Sequence, residues 1–403
     1  MKNKILKLLS ILGPGWIVMI ADVDAPSVFT ALVSGSNYGL SLTWLLLLLV
    51  IPLYFVQESA ARLGMVTKKG FGLLIKENFG KPLTFLSIGA MVVINLIAFV
   101  GEFAGIGVAG LIFGIPIPIA ITLAVIFHTF IVIRGSYKKV ENILLYITLL
   151  LFTFFISAIV SRPSIEVLKT IISSPNFLNF SYIELVLANI GAVIMPWMIF
   201  YHESAVVDKR LEIRDIKNER KESLFGAIIS EALMVAIMFT SASMFYGKMS
   251  NDVGILNLSR VFAPYAGTVS PYIFGVGILG AGILSGVVIS LSSSWSIADY
   301  FNLPSSLNYK FFQAKVFYTF YFLEVIPSAI FTILFPDLVN LMINAMVLNT
   351  ILLPIPLYFL IKLSSDKKIL GNYRNSKLTN LILWITWILI LVSVSVTIFA
   401  FFR

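Results

Sequence analysis

Residues 11–34 read ILGPGWIVMIADVDAPSVFTALVS, a run long and apolar enough to cross a membrane that carries Asp22, Asp24, Pro26 and Ser27 at its centre. Proline has no N–H to donate to the carbonyl four residues earlier, so Pro26 releases the carbonyl of Asp22. Ala25, which precedes the proline, is pushed out of the helical region. In hydrocarbon an unpaired carbonyl costs several kcal/mol, so such a break survives only when it is buried in protein or lines a cavity. A second run, residues 182–203, reads YIELVLANIGAVIMPWMIFYHE and has Gly191, Ala192, Met195 and Pro196 at the same depth. There Pro196 releases the carbonyl of Ala192. Two interrupted spans at matching places in two halves of a chain predict a transporter with its binding site between them.

The rest of the chain agrees with a membrane protein. Of its 403 residues 59% are hydrophobic and only 12% charged, and the mean hydropathy is +0.96, outside the range of soluble domains. Eleven spans are predicted, at 11–34, 39–62, 83–112, 117–134, 141–160, 182–203, 222–247, 269–296, 311–335, 338–363 and 377–402. The first ten divide into two sets of five, and an odd number inverts the second set relative to the first. The expected division is 1–160 for the first repeat, 161–363 for the second and 364–403 for an added helix. With the N-terminus inside, every Lys and Arg except Arg162, Lys169, Lys248, Arg260 and Arg403 lies on the cytoplasmic side. The positive-inside rule therefore predicts a multi-pass cell-membrane protein with its N-terminus cytoplasmic and its C-terminus external. The net charge of +9 reports that topology and attraction to anionic lipid, with no nucleic-acid partner implied.

The absence of cysteine excludes disulfides and thiolate metal sites. The basic stretch Met1–Ser10 precedes a run with two acids and no small-residue cleavage pattern, unlike a removable signal. The polar stretches 161–181 and 203–222 are too short to fold alone, and the alternating charges of 208–222 read as a solvated connector.

Asp24 is the first candidate ligand: no base on its own span can pair with it, and a charge at mid-membrane costs ~2.5 kcal/mol or more. On an intact helix Asp22 would point about 200° away from it, so both acids share a site only if the backbone unwinds. Otherwise Asp22 lines a water path and contributes its carbonyl. Met195 is either packing or a soft thioether beside the freed Ala192 carbonyl, a mixed set suited to a borderline divalent ion. Ser27 supplies a hydroxyl oxygen or simply packs. Glu102 and His202 are candidates for a proton relay. For His128 the plainer reading is a neutral ring bonded to helix backbone. Glu58 and Arg62, four apart, suit a local ion pair.

At these two spans the chain resembles the Nramp family of divalent metal transporters, and the resemblance covers nearly the whole length. The family begins with Gly-Pro-Gly and, eleven residues after the first Gly, the Asp of an Asp-Pro-Gly-Asn motif; here Gly13-Pro14-Gly15 leads to Asp24-Ala25-Pro26-Ser27. The resemblance makes Asp24 the metal-binding carboxylate, with Ser27 in the place of asparagine. The family's Ala-x-x-Met-Pro-His, with a second His seven residues after the Met, appears as Ala192, Met195, Pro196, Trp197 and His202, so the first His has become Trp197. Further matches are the run Gln57 to Gly64, Glu-Phe-Ala-Gly at 102–105, and Leu-Pro with Ser-Asp-Lys-Lys-Ile-Leu-Gly within 353–371. Ala21-Asp22-Val23-Asp24-Ala25, Pro196-Trp197-Met198 and Ser204 to Asp208 are similar to the Nramp-related magnesium transporter branch, although Met195 departs from it. The family's third-span Asp is Phe99 here, which implies weak or absent proton coupling. Met346 stands where a Gln would help hold metal, near Asn349.

The resemblance implies an all-α LeuT-type fold of two inverted five-helix repeats plus one helix. It also implies a monomeric, non-enzymatic carrier of a divalent cation, Mn²⁺ or Mg²⁺, that is substrate rather than cofactor. The ion would lie between Asp24, Ser27, Ala192 and Met195, with Asp22 as a further ligand, Trp197, Asn349 and Met346 on the pathway or gate, and Glu102 and His202 as the relay. Sodium-coupled amino-acid transport is the alternative for this architecture, but its first break is typically rich in glycine and not in acids. An intramembrane protease would need a second His near His202-Glu203, or Asp residues on two spans.

Overall fold

The computed structural model describes residues 12–133, 136–247, 270–335 and 338–401, and all of its regular structure there is helical. Met1–Ser10, Lys248, Arg260 and Arg403, which enter the charge argument above, lie outside the described residues. The helices that matter for the site are α1 (Pro14–Ala21), α2 (Ala25–Tyr38), α3 (Thr43–Thr67), α4 (Phe71–Phe79), α5 (Lys81–Ile112), α6 (Ile117–Ile133), α7 (Tyr137–Leu151), α8 (Thr153–Ser161), α9 (Phe180–Val193) and α10 (Pro196–Asp208). They are followed by α11 (Ile216–Phe245), α12 (Ser270–Tyr300), α13 (Lys315–Leu334), α14 (Leu338–Leu352), α15 (Pro354–Ser365) and α16 (Lys377–Phe401).

Among the described residues nine helical segments are long and apolar enough to cross a membrane, and α1 with α2 makes a tenth, broken span bent by 47°. With the shorter apolar α6, these account for the eleven predicted spans. Their outer faces carry Leu, Ile and Phe side chains such as Phe85, Ile126 and Leu389, exposed as a lipid-facing surface requires.

The core is built around the broken pair. α2 packs along α11, α10 lies against α3 and α12, and α9 runs beside α14. Small residues set these approaches. Gly101 and Gly105 of α5 sit where a Cβ would strike Pro26 and Ala25, so α5 can lie directly on the first break. Gly39, with φ +61°, ends α2 in a conformation that L side chains rarely adopt, and the adjacent Leu40 N–H donates to Thr170 Oγ1 at 2.7 Å.

The charged run 208–222 is more ordered than a solvated connector. α10 continues to Asp208 and α11 begins at Ile216, joined by one turn of 3-10 helix. Glu219 and Glu222 within it are buried against neighbouring helices, so that end of the charged run is structural.

Candidate functional site

The first break separates α1 from α2 by Asp22, Val23 and Asp24. Asp24 has extended backbone and acts as the N-cap of α2, its Oδ1 accepting from the Ser27 N–H at 2.7 Å. This is what a carboxylate does at an exposed helix N-terminus, where four amides lack partners. Its second oxygen, Oδ2, is buried and receives no hydrogen bond. The Ala25 N–H donates to Glu102 Oε2 at 3.1 Å, and the Glu102 carboxyl lies against that of Asp24.

The second break is shorter. α9 ends at Val193, Ile194 and Met195 are extended, and Pro196 starts α10. The released Ala192 carbonyl points across to the first break and accepts from Ser27 Oγ at 3.0 Å. Ser27 Oγ is also 3.9 Å from Met346 Sδ, and Asn349 Nδ2 is 3.6 Å from the same sulfur. Met195 Sδ accepts the Trp197 indole N–H at 3.1 Å. Ser27, Ala192, Met346 and Asn349 thus share one neighbourhood, reached by α2, α9 and α14 together. Gly191 permits it, because a Cβ there would collide with the Met346 carbonyl oxygen.

All these residues are buried among the described residues. Beyond the C-terminal end of α2 lies a cavity of about 760 Å³ lined by residues that include Ser36, Tyr38, Asn179, Glu184 and Asn344. Near the start of α1 lies one of about 580 Å³, lined by residues that include Tyr137, Glu141, Asp208 and Lys209. In the wall of that second cavity, Glu141 pairs with Lys209 at 2.7 Å.

The two relay candidates are apart in their contacts. Glu102 faces Asp24, whereas His202 has Gln57 Oε1 at 3.2 Å from Nδ1 and Glu219 Oε1 at 2.6 Å from Nε2. Phe99 packs on Phe103 and His128, with ring centroids 5.0 and 5.6 Å away. His128 itself is buried between α5 and α12. Glu58 pairs with Arg62 at 2.9 Å and also with Arg220 at 2.8 Å. Asp22 turns its carboxyl to Glu231 on α11, a partner that the sequence does not reveal. Ser285, which donates to the Ala21 carbonyl at 2.7 Å and so steadies the end of α1, is equally invisible in the sequence. No three His, Asp or Glu side chains converge on one point among the described residues, so any ion here must draw on carbonyl, hydroxyl, thioether or water.

The chain is similar over nearly its whole length to known proteins. The chain is 28% identical over 405 residues to the divalent metal cation transporter MntH of Bacillus subtilis (strain 168), covering 95% of this chain and 90% of the relative. It is 25% identical over 408 residues to MntH of Staphylococcus haemolyticus (strain JCSC1435), covering 94% and 89%. The structure of the Eremococcus coleocola manganese transporter superposes with TM-score 0.76 at 22% identity, over 98% of this chain and 88% of that one. MhsT in complex with L-phenylalanine superposes with TM-score 0.64 at 14% identity, over 96% and 97%. These likenesses bear out the LeuT-type fold. The pattern of the Nramp family, natural resistance-associated macrophage protein-like, matches residues 15–400, and the chain belongs to that family.

Proposed function

We propose that this protein imports a divalent metal cation, Mn²⁺ or Mg²⁺, by alternating access, with the ion held at mid-membrane between the two broken helices. The observation that carries the reading is Asp24: a buried carboxylate whose first oxygen caps α2 and whose second has no donor, beside the Ser27–Ala192 contact. Asp24 supplies the charge that offsets ion dehydration. Ser27 Oγ and the Ala192 carbonyl supply oxygens; the hydroxyl hydrogen must turn off that carbonyl for both to face an ion. The thioethers of Met195 and Met346 favour a softer ion such as Mn²⁺, and water completes the shell for Mg²⁺. Asp22 is the further ligand, and Trp197, Asn349 and Met346 border the pathway.

The same reading places the N-terminus in the cytoplasm and the C-terminus outside, with inverted repeats at 1–160 and 161–363 and an added helix at 364–403. It takes a monomer in lipid as the working unit. Coupling to protons is weak or absent: Phe99 fills with aromatic carbon the place of an acid, and Glu102 and His202 have separate partners. Membership of a family of metal transporters argues against both the amino-acid and the protease alternatives.

The test is radiotracer uptake into liposomes holding the purified protein, against a panel of Mn²⁺, Mg²⁺, Ca²⁺ and neutral amino acids. Saturable uptake of a divalent ion is expected. Accumulation of an amino acid without any divalent ion would overturn the proposal.

A further inference from the structure

Two hydrogen bonds cross between α2 and α9. Ser27 Oγ donates to the Ala192 carbonyl at 3.0 Å, and further along α2 the Ser34 hydroxyl accepts from Asn189 Nδ2 at 2.8 Å. Positions seven apart on α2 and three apart on α9 fall on one helix face, so the two contacts are successive rungs of one ladder. The first rung belongs to the ion site. The second lies roughly 10 Å further along α2 by the helical rise and is no part of that site.

Asn189 is oriented by its own helix. Its amide nitrogen also donates to the Leu185 carbonyl at 2.7 Å, and a carbonyl can only accept, so the nitrogen and not the oxygen faces that turn. Oδ1 is therefore the unused end. The side chain is completely buried, and Oδ1 receives no hydrogen bond among the described residues. Leaving a buried acceptor unsatisfied costs about 1–3 kcal/mol, and an amide oxygen is a hard ligand of the kind that divalent cations take.

The second rung adjoins the cavity of about 760 Å³ beyond the C-terminal end of α2. Val33, next to Ser34, and Leu185, whose carbonyl holds the Asn189 amide, both line it. Ile343 of α14 lines it too, and Met346, one turn deeper, reaches Ser27. Glu184 is the one charged residue among the described residues of the lining, so the cavity favours cations. Along α9 the order from the cavity inwards is thus Glu184, then Asn189 with Ser34, then Ala192 with Ser27.

We propose that Ser34 and Asn189 form an entry station for the transported cation, between the outer cavity and the site at Asp24, Ser27 and Ala192. When their hydrogen bond parts, Asn189 Oδ1 and Ser34 Oγ take the place of water on the passing ion. The inference deepens the reading of the chain as a divalent cation importer and rests on it. Both groups are neutral oxygens, so the station accepts a partly hydrated Mg²⁺ or Mn²⁺ alike and leaves discrimination to the thioethers beneath. Without a charge of its own it also holds the ion weakly enough to pass it on.

The test has two arms. In the first, purified full-length Asn189→Leu is compared with wild type for its initial rate of Mn²⁺ uptake into liposomes and for its equilibrium Mn²⁺ affinity by calorimetry. The rate is expected to fall about tenfold, ~1.4 kcal/mol on the barrier to entry, with affinity within about twofold of wild type. In the second, Ser34→Cys is made in a chain that has no cysteine of its own, so the new thiol reports only on that position. In intact cells a membrane-impermeant methanethiosulfonate reagent added outside is expected to modify it and to stop uptake, and MnCl₂ is expected to protect it. Should Asn189→Leu fail to fold, the second arm carries the test alone. Wild-type uptake by folded Asn189→Leu, an equal loss of rate and affinity, or a transporting Ser34→Cys that the reagent never reaches would each overturn the inference and leave the proposed function standing. A wild type that takes up no divalent ion would overturn the proposed function itself.

Discussion

In the first broken span three residues separate the two helical pieces, and two of them are carboxylates; in the second only Ile194 and Met195 intervene, and neither is charged. The same device, a proline that strips a carbonyl of its partner, thus serves two purposes. At the first break the helix N-terminus is capped by Asp24, which sets a buried carboxyl group at the centre of the protein. At the second break the polar atom is the Ala192 carbonyl itself, and the Met195 thioether accepts the Trp197 indole N–H. The first half brings the charge that makes a cation welcome in hydrocarbon, and the second brings shape and softness that decide which cation.

The comparison breaks most sharply at Asp24. Asp24→Asn keeps an oxygen that can cap α2 but removes the charge, so divalent uptake is expected to fall by ~100-fold or more while the protein still purifies as a folded species. The factor of ~100 corresponds to about 2.8 kcal/mol, comparable with the cost of one unpaired charge in the membrane. Uptake assays in liposomes with wild-type apparent affinity would remove Asp24 from the site.

Gly191→Ala tests the second half through its backbone. The added methyl would meet the Met346 carbonyl oxygen, so α14 must move away from α9. Such overpacking costs ~1–3 kcal/mol, and a lower melting temperature together with reduced uptake is expected. Unchanged melting and transport would show that the α9–α14 contact is loose.

Met195→Ala sharpens the division between charge and selectivity. A thioether contributes little to Mg²⁺ and more to Mn²⁺, so Mn²⁺ affinity is expected to fall about tenfold, ~1.4 kcal/mol, with Mg²⁺ much less affected. Competition binding reads the ratio directly. Equal loss of both ions would make Met195 a packing residue, and no loss would give the thioether role to Met346.

The smallest effect concerns coupling. With Phe99 between Phe103 and His128, an imposed pH gradient is expected to change the uptake rate less than ~2-fold, the scale of ~0.4 kcal/mol. Stoichiometric acidification of the liposome lumen would contradict this, and its loss in His202→Ala would name the carrier.

Much of this was legible in the sequence because it depends on local chemistry. Pro26 and Pro196 each break a helix wherever they stand, and apolar runs of span length need no knowledge of neighbours. What the sequence hides is which face of one span meets which face of another. The stretch 208–222 alternates acid and base and so reads as solvated, yet Glu219 is buried on His202 because α11 starts at Ile216 and carries it inward. Glu231 lies in an ordinary apolar span, and only the seating of α1 on α11 brings it to Asp22. Met346 is likewise distant in sequence, and its sulfur reaches Ser27 because Gly191 lets α14 approach.

The central claim is that one ion is shared by the two breaks. Diffraction from crystals soaked in MnCl₂, recorded for the anomalous signal of manganese, tests it most directly. An anomalous peak is expected between the Asp24 carboxylate and the Ala192 carbonyl, within ligand distance of both. A protein that binds manganese elsewhere, with no peak between the two breaks, would contradict it.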